Sequence, residues 1–238
     1  DALPIFFGSP ESTDEDTHWQ HLFTSGAEDI PSHSLELGLK DKNVFVRHLG
    51  VKFGSFQLSF EPSGNASATI NAVGQNETKA VSSVDATPVA QPYNRLSQFQ
   101  GSISRDGTPL GNVSAASVNF SNDLEPQNVL RGDGKVNSVQ PRMRSISGSI
   151  ETRFDNSDLY DLAVDGTPVA LSFAYTVSAT EKLVVDIPFV QLVKSKLTLE
   201  GPGGVQYRCD LRGSRPIGSE DPMITVTLLN DVQDTVYA

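Results

Sequence analysis

The chain has 238 residues, of which 37% are hydrophobic and 20% are charged, with 19 glycines, 14 prolines and a single cysteine. This length fits one large all-β domain, and the lone Cys209 excludes a scaffold built on internal disulfides. The net charge of −11 comes from the two ends, because residues 1–33 and 220–238 contain acids but no Lys or Arg. Without clustered bases the chain cannot hold nucleic acid through phosphates, and no apolar run is long enough to cross a bilayer. We expect a soluble protein with no membrane partner.

The first 33 residues combine Pro4, Pro10 and Pro31 with many acids, and they show no sustained apolar period. We predict that residues 1–33 form an irregular, acidic N-terminal arm. At most, one helical turn is expected at residues 16–23.

From Leu35 onward, polar and apolar residues alternate with period two, which is typical of half-buried strands. Residues 55–60 and 66–72 alternate on either side of a Pro-Ser-Gly turn, so they predict a β-hairpin. The same pattern recurs at residues 145–152 and 169–176. Further strands are predicted at residues 35–39, 98–105, 114–120, 182–188, 192–199, 205–211 and 224–229.

Two segments depart from this rhythm. Residues 155–164 have N-cap candidates and an apolar stripe and end at Asp165-Gly166, so they predict the one short helix. Residues 75–97 are polar and contain Pro88 and Pro92, and they predict a long loop of the kind that is usually functional or disordered. Together the elements predict an all-β fold, an antiparallel β-sandwich or barrel with one short flanking α-helix.

The sequence contains none of the common hydrolase, nucleotide-binding or dinucleotide-binding signatures. His18 and His21 lie near Asp14 and Asp16, but no predicted rigid element would hold these four side chains as metal ligands. We predict no catalytic residue, no metal site and no cofactor, so the chain is not expected to be an enzyme.

A binding module remains the alternative. Arg131-Gly132-Asp133 spells an integrin-binding tripeptide, although such a Gly-rich turn also arises by chance. N-glycosylation sequons begin at Asn65, Asn76, Asn112 and Asn119. A carbohydrate-binding or adhesin-type β-sandwich would fit these motifs, but it needs exposed aromatic rings, and the one tryptophan, Trp19, lies in the predicted arm.

The order of the segments carries further information. The run from Gly50 to Phe60 followed by residues 65–74, the strand and turn at residues 117–125, and residues 144–154 followed by Asp158-Leu159-Tyr160 occur in a recognisable succession. Asp186-Ile187-Pro188 and a turn at residues 201–204 continue it. Over residues 35–230 this order resembles the major tail tube proteins of long-tailed, siphovirus-type bacteriophages.

The resemblance implies a structural virion protein that forms homohexameric rings, which stack into the tail tube and conduct the viral genome during ejection. It implies a single tail-tube-like β-sandwich domain at residues 34–238, with a long loop at 75–97, after the arm at 1–33. The implied partners are further copies of the chain, the tape measure protein, and the tail terminator and distal tail proteins. Double-stranded DNA would pass through without specific binding. The protein would be made in the host cytoplasm and reside in the virion, in the phage tail.

The same family pattern suggests which residues act in the tube. Six subunits of four strands would close a barrel of about 24 strands with a backbone radius of about 24 Å. A bore through which DNA slides should present small polar groups, because each contact between a phosphate and Lys or Arg would slow the DNA. A solvent-exposed face of a β-sandwich would show a similar polar pattern. The lumen-lining candidates are Ser55, Gln57, Ser59, Ser67, Thr69, Asn71, Ser145, Ser147 and Ser149. The inter-ring contact candidates are Val84, Val89, Tyr93 and Leu96 in the long loop.

Overall fold

The structure, a computed structural model, describes residues 3–88, 95–154, 157–195 and 205–234. The two helices are α1 (Leu3–Phe7) and α2 (Asp158–Asp165), and 3₁₀ turns occur at Lys40–Lys42 and Gln98–Gln100. The strands, in chain order, are β1 (Glu11–Asp14), β2 (Trp19–Thr24), β3 (His33–Leu39), β4 (Val44–Phe60), β5 (Ser67–Val73), β6 (Asn76–Ala80), β7 (Gly101–Arg105), β8 (Thr108–Pro109), β9 (Val113–Ser121), β10 (Leu124–Gln127), β11 (Ser138–Pro141), β12 (Ser145–Arg153), β13 (Val169–Thr176), β14 (Lys182–Val193), β15 (Gln206–Gly213) and β16 (Thr225–Asn230).

The strands form two antiparallel layers. The first sheet has the order β5-β4-β9-β12-β15, and the second has the order β1-β2-β16-β14-β13-β7. Strand β14 belongs to both, because residues 182–186 pair with β16 and residues 190–193 pair with β15. Helix α2 lies against β14. The predicted antiparallel β-sandwich with a flanking helix is therefore confirmed.

The hydrophobic core lies between the two sheets, because each strand presents alternate residues to opposite faces. Val118 and Phe120 of β9 and Ile150 of β12 are completely buried. Phe60 of the first sheet stacks on Tyr175 of the second, with ring centroids 4.6 Å apart and planes 9° apart. Such an aromatic contact contributes about 0.5–1.5 kcal/mol beyond the area that it buries.

The predicted hairpin and the predicted helix are both present, as β4–β5 and α2. Several boundaries differ from the prediction. The strand predicted at residues 98–105 begins only at Gly101, because residues 98–100 form a 3₁₀ turn. Residues 182–188 and 192–193 belong to one strand, β14, which continues through Pro188, whereas residues 196–199 lie outside the described residues. The segment 75–97 is not only a loop, because β6 pairs with the first half of β4.

The prediction of an irregular N-terminal arm is wrong. Residues 16–23 contain no helical turn; strand β2 occupies residues 19–24 and pairs with β16. Helix α1 places Phe6 against Phe53 and Phe56, with ring centroids 5.4 and 5.1 Å apart. Prolines and acidic residues surround Phe6 in the sequence. The local charge and hydrophobic periodicity therefore gave no sign of these buried contacts.

The ring of His21 ties this N-terminal segment to the other end of the chain. The side chain is fully buried, and its Nε2–H donates to the carbonyl of Val232 over 2.9 Å. Its Nδ1 lies 2.8 Å from the hydroxyl of Ser12. Strands β1 and β2 are therefore part of the sandwich.

We predict that Phe6→Ala lowers the free energy of unfolding by about 3–5 kcal/mol, the usual cost of removing a buried phenylalanine. Phe99→Ala is the matched control, because Phe99 is 90% exposed and its loss should change stability by less than about 0.5 kcal/mol. Urea denaturation followed by fluorescence measures both. Equal effects of the two substitutions would contradict a packed N-terminal segment.

Candidate functional site

One face of the first sheet is built from small polar side chains, because its strands alternate between aromatic or aliphatic residues and Ser, Asn, Gln or Thr. The strand register aligns these polar residues in rows that cross the sheet. The rows are Asn71-Ser55-Ser121-Ser145, Thr69-Gln57-Asn119-Ser147-Arg212 and Ser67-Ser59-Ser117-Ser149-Asp210. We call this surface the polar face.

All nine residues predicted to line a lumen lie on the polar face. Cross-strand hydrogen bonds join its side chains: Asn71 Nδ2 donates to Ser55 Oγ over 3.0 Å, and the hydroxyls of Ser117 and Ser149 are 3.2 Å apart. Side chains from all five strands line one shallow concavity. The face is thus a continuous, concave surface that is neutral at the rows of β5, β4, β9 and β12 and charged at β15.

The sequence reasoning missed two parts of the polar face. Strand β9 adds Ser117, Asn119 and Ser121, and β15 adds charged residues in alternation with its buried Tyr207, Cys209 and Leu211. That alternation was visible in the sequence, but placing the β15 charges on the polar face required the pairing of β15 with β12.

The charges on the polar face have both signs. Arg208 and Arg212 stand on either side of Asp210, and the guanidinium of Arg208 lies 3.8 Å from the Asp210 carboxylate. Glu151 of β12 is directly opposite Arg208. Carboxylates are therefore interspersed with the arginines of β15.

The buried thiol of Cys209 lies on the core side of β15. Burial raises its pKa to about 11, so the thiol remains protonated at neutral pH and is a poor nucleophile. Among the described residues, no three His, Cys, Asp or Glu side chains come together as a metal site. Within the same part of the chain, neither helix is long and apolar enough to span a membrane.

A three-stranded ribbon, made of β3, residues 44–49 of β4 and β6, extends from one end of the sandwich. One side of the ribbon, which we call the leucine face, presents Leu35, Leu37 and Leu39, with exposed fractions of 40%, 60% and 49%. Val44 and Val46 stand directly opposite Leu39 and Leu37. The ribbon thus exposes an apolar stripe to water.

The long loop begins on the other side of the ribbon. Glu36 accepts hydrogen bonds from Arg47 Nε at 2.7 Å, from Ser83 Oγ at 2.5 Å and from the backbone N–H of Val84 at 3.1 Å. The bond from Ser83, followed by that from Arg47, lowers the pKa of the Glu36 carboxyl. The Glu36 carboxylate therefore holds the first residues of the loop against the ribbon, together with Arg47, whose Nη2 donates to the Ser82 carbonyl over 2.8 Å.

The four loop residues predicted as contacts between rings are placed differently from one another. Val84 is 74% exposed, whereas Leu96 is half-buried and packs against the core of its own subunit. Val89 and Tyr93 lie outside the described residues. The structure thus leaves Val84 available for contact and partly covers Leu96.

Two features relevant to a binding module, the Arg131-Gly132-Asp133 tripeptide and Trp19, have partners within the chain. Arg131 and Asp133 pair with each other through two hydrogen bonds of 3.0 Å, so the tripeptide closes on itself. Trp19 is half-buried and stacks on His21, with planes 9° apart. Neither group is presented as an adhesin or a sugar-binding platform would need it.

Comparison with known proteins identifies the fold. A search of curated proteins finds no match. A family model described as phage tail tube protein matches residues 1–228, which includes the N-terminal segment, the ribbon and both sheets. A match of this extent covers nearly the whole chain and fits a β-rich structural role. The chain therefore belongs to the family of phage tail tube proteins, which are structural components of the virion.

Proposed function

We propose that six copies of the chain close into a ring, that rings stack into the tail tube, and that genome DNA passes through a bore lined by the polar face. The observation that carries this proposal is the polar face itself, which is continuous over five strands and backed by a hydrophobic core. Such a surface suits a wall along which a polyanion slides.

The edge strand β5 supports closure into a ring. Among the described residues β5 pairs only with β4, and its sequence contains neither Lys nor Pro. Proteins that work alone usually protect a sheet edge with such residues, and closing a barrel removes the edge altogether. The complementary edge would be β15, whose residues 206–209 have no β14 partner. Pairing of β5 with β15 of the next subunit would continue the rows of the polar face around the ring.

The dimensions of such a ring are suitable for DNA. With strands about 4.8 Å apart and tilted by roughly 40°, four strands from each of six subunits give a backbone radius of about 24 Å. Inclusion of β15 as a fifth strand gives about 30 Å by the same geometry. Both values leave room for a duplex after side chains are subtracted.

The electrostatics of the polar face fit passage without specific binding. Affinity for DNA rises with the number of phosphates that Lys or Arg neutralise, and Arg208 and Arg212 of the face are interspersed with the carboxylates of Asp210 and Glu151. The same bore would hold the tape measure protein before DNA enters. The ends of the tube would meet the tail terminator and distal tail proteins. Subunits would be made in the host cytoplasm before tail assembly.

Electron microscopy of the concentrated, purified chain tests the assembly. We expect six-fold rings and stacked tubes. A protein that stays monomeric at high concentration, or that binds a glycan column as a monomer, would contradict the proposal and favour a binding module.

We predict that placing lysines on the polar face slows DNA ejection. Gln57→Lys with Ser147→Lys should permit assembly, because both side chains are exposed, and should slow ejection most at low salt, where phosphate attraction is least screened. Ser102→Lys with Thr176→Lys is the matched control, since these exposed residues lie on the outer surface of the second sheet. Ejection rates are measured from virions carrying each pair. Equal rates for the two pairs would exclude the polar face as the wall of the bore.

We further predict that acid releases the loop from the ribbon. Because the pKa of Glu36 is lowered in the folded chain, its bonds to Ser83 and Arg47 are present at neutral pH and are lost as the pH falls through that lowered pKa. The protection of the Val84 amide, taken relative to the intrinsic exchange rate at each pH, should fall at pH values below the ordinary glutamate range. Glu36→Gln should show fast exchange of this amide already at neutral pH, with little further change in acid. A Val84 amide that exchanges equally in both proteins at neutral pH would contradict this role of Glu36.

A further inference from the structure

Phe99 exposes its aromatic ring in the middle of the 3₁₀ turn Gln98–Gln100. The side chain is 90% exposed, although its chain neighbour Gln98 is buried. Burial of a phenylalanine side chain is worth about 1.5–3 kcal/mol. Because the folded subunit does not bury this ring, its burial against another molecule would stabilise that contact.

The turn holds the ring rigidly outward. The Gln98 amide nitrogen donates to the carbonyls of Ser59 and Asn65 over 3.4 and 3.3 Å, and its amide oxygen lies 3.1 Å from the Tyr175 hydroxyl. The Gln100 side chain accepts a bond of 2.8 Å from the backbone of Ser97.

The hydroxyl at the centre of this network is a stable donor. Burial raises the pKa of Tyr175 to about 12, so it keeps its proton at neutral pH. The side chains of Gln98 and Gln100, on either side of Phe99, are both hydrogen-bonded within the subunit. The backbone of the turn therefore loses little conformational freedom when Phe99 binds another molecule, and such preorganisation favours binding.

The leucine face lies at the opposite end of strand β4. Gln98, the chain neighbour of Phe99, donates to the Ser59 carbonyl near the last residue of the strand, whereas Val44 and Val46 begin it opposite Leu39 and Leu37. Strand β4 has 17 residues, which at about 3.3 Å per residue gives a length of up to about 56 Å. Phe99 and the leucine face therefore belong to opposite ends of the strand. A copy stacked head to tail would bring the two surfaces together.

We propose that Phe99 of one ring docks on the leucine face of a second copy of the chain in the next ring, and that this contact holds successive rings together. This inference rests on the proposed stacking of rings. Two different surfaces at opposite ends of one subunit form a heterologous contact, and such a contact repeats without closing and builds a filament. Aromatic side chains that enter apolar surfaces commonly dominate the binding energy of an interface.

Assembly of substituted chains tests the proposal. Phe99→Ser should raise the critical concentration for tube growth at least about tenfold, as loss of a dominant contact residue does, while six-fold rings still form. Leu37→Ser should act in the same direction, and Phe99→Trp should keep tube growth near that of the unsubstituted chain. Ile217→Ser is the matched control, because Ile217 is equally exposed and belongs to neither surface. Tubes of Phe99→Ser that grow at the unsubstituted critical concentration would overturn the proposal.

A disulfide test examines the contact directly. The one native cysteine, Cys209, is buried, so it should not form disulfides with cysteines introduced at the surface. The double variant Phe99→Cys with Leu37→Cys is assembled above the raised critical concentration that loss of these side chains predicts. Its tubes should give a ladder of cross-linked chains when oxidised, and each single variant should remain monomeric on a denaturing gel. Tubes that form but do not cross-link would overturn the docking of Phe99 on the leucine face, but they would not contradict the proposed tail tube. Failure of the unsubstituted chain to form rings would instead contradict the proposed function.

Discussion

The alternation of side chains along strand β4 is the constraint on which the rest of the molecule depends. Four strands pair along it: β3 and β6 with its first half, and β5 and β9 with its second. Its second half sends Phe56 and Phe60 into the core and Ser55, Gln57 and Ser59 to the polar face. A register slip of one residue would exchange these faces, because side chains on a strand alternate strictly. The same strand thus stabilises the sandwich and sets the chemistry of the proposed bore.

The ribbon leaves the sandwich at a glycine for a physical reason. Gly50 has φ +61°, and a Cβ there would lie 2.4 Å from the Gln75 side-chain oxygen. Glycine adopts this left-handed backbone at little cost, whereas a side chain here would also have to displace Gln75. The bend separates the half of β4 that supports the core from the half that carries the leucine face. In the proposed tube, one half of β4 would contribute to the wall of the bore and the other half to the contact between rings.

Sequence pattern alone predicts the elements in which one strong signal dominates. Alternation at residues 55–72, 145–152 and 169–176 gives strands, and helix α2 ends at Gly166, whose φ of +67° is typical of a residue that terminates a helix. The N-terminal segment escapes such a reading because its burial depends on Phe6, which meets partners far along the chain. No local period records a contact of that kind.

Part of the candidate site could likewise be predicted from the sequence, and part could not. Nine residues of the polar face could be predicted, since alternation alone assigns them to one side of their strands. Its charged members on β15 required the register, which only the paired structure supplies. Phe99 could not be found, because a strand through residues 98–105 would place it on the same side as the buried Ile103. The 3₁₀ turn interrupts the period and points the ring to solvent.

A helical reconstruction of the assembled tube by electron cryomicroscopy tests the central claim most directly. The account predicts that Gln57, Asn119 and Ser147, which form one row of the polar face, point into the bore of a six-fold ring. A reconstruction in which this row faces the outside of the tube, or is buried between subunits, would contradict the account.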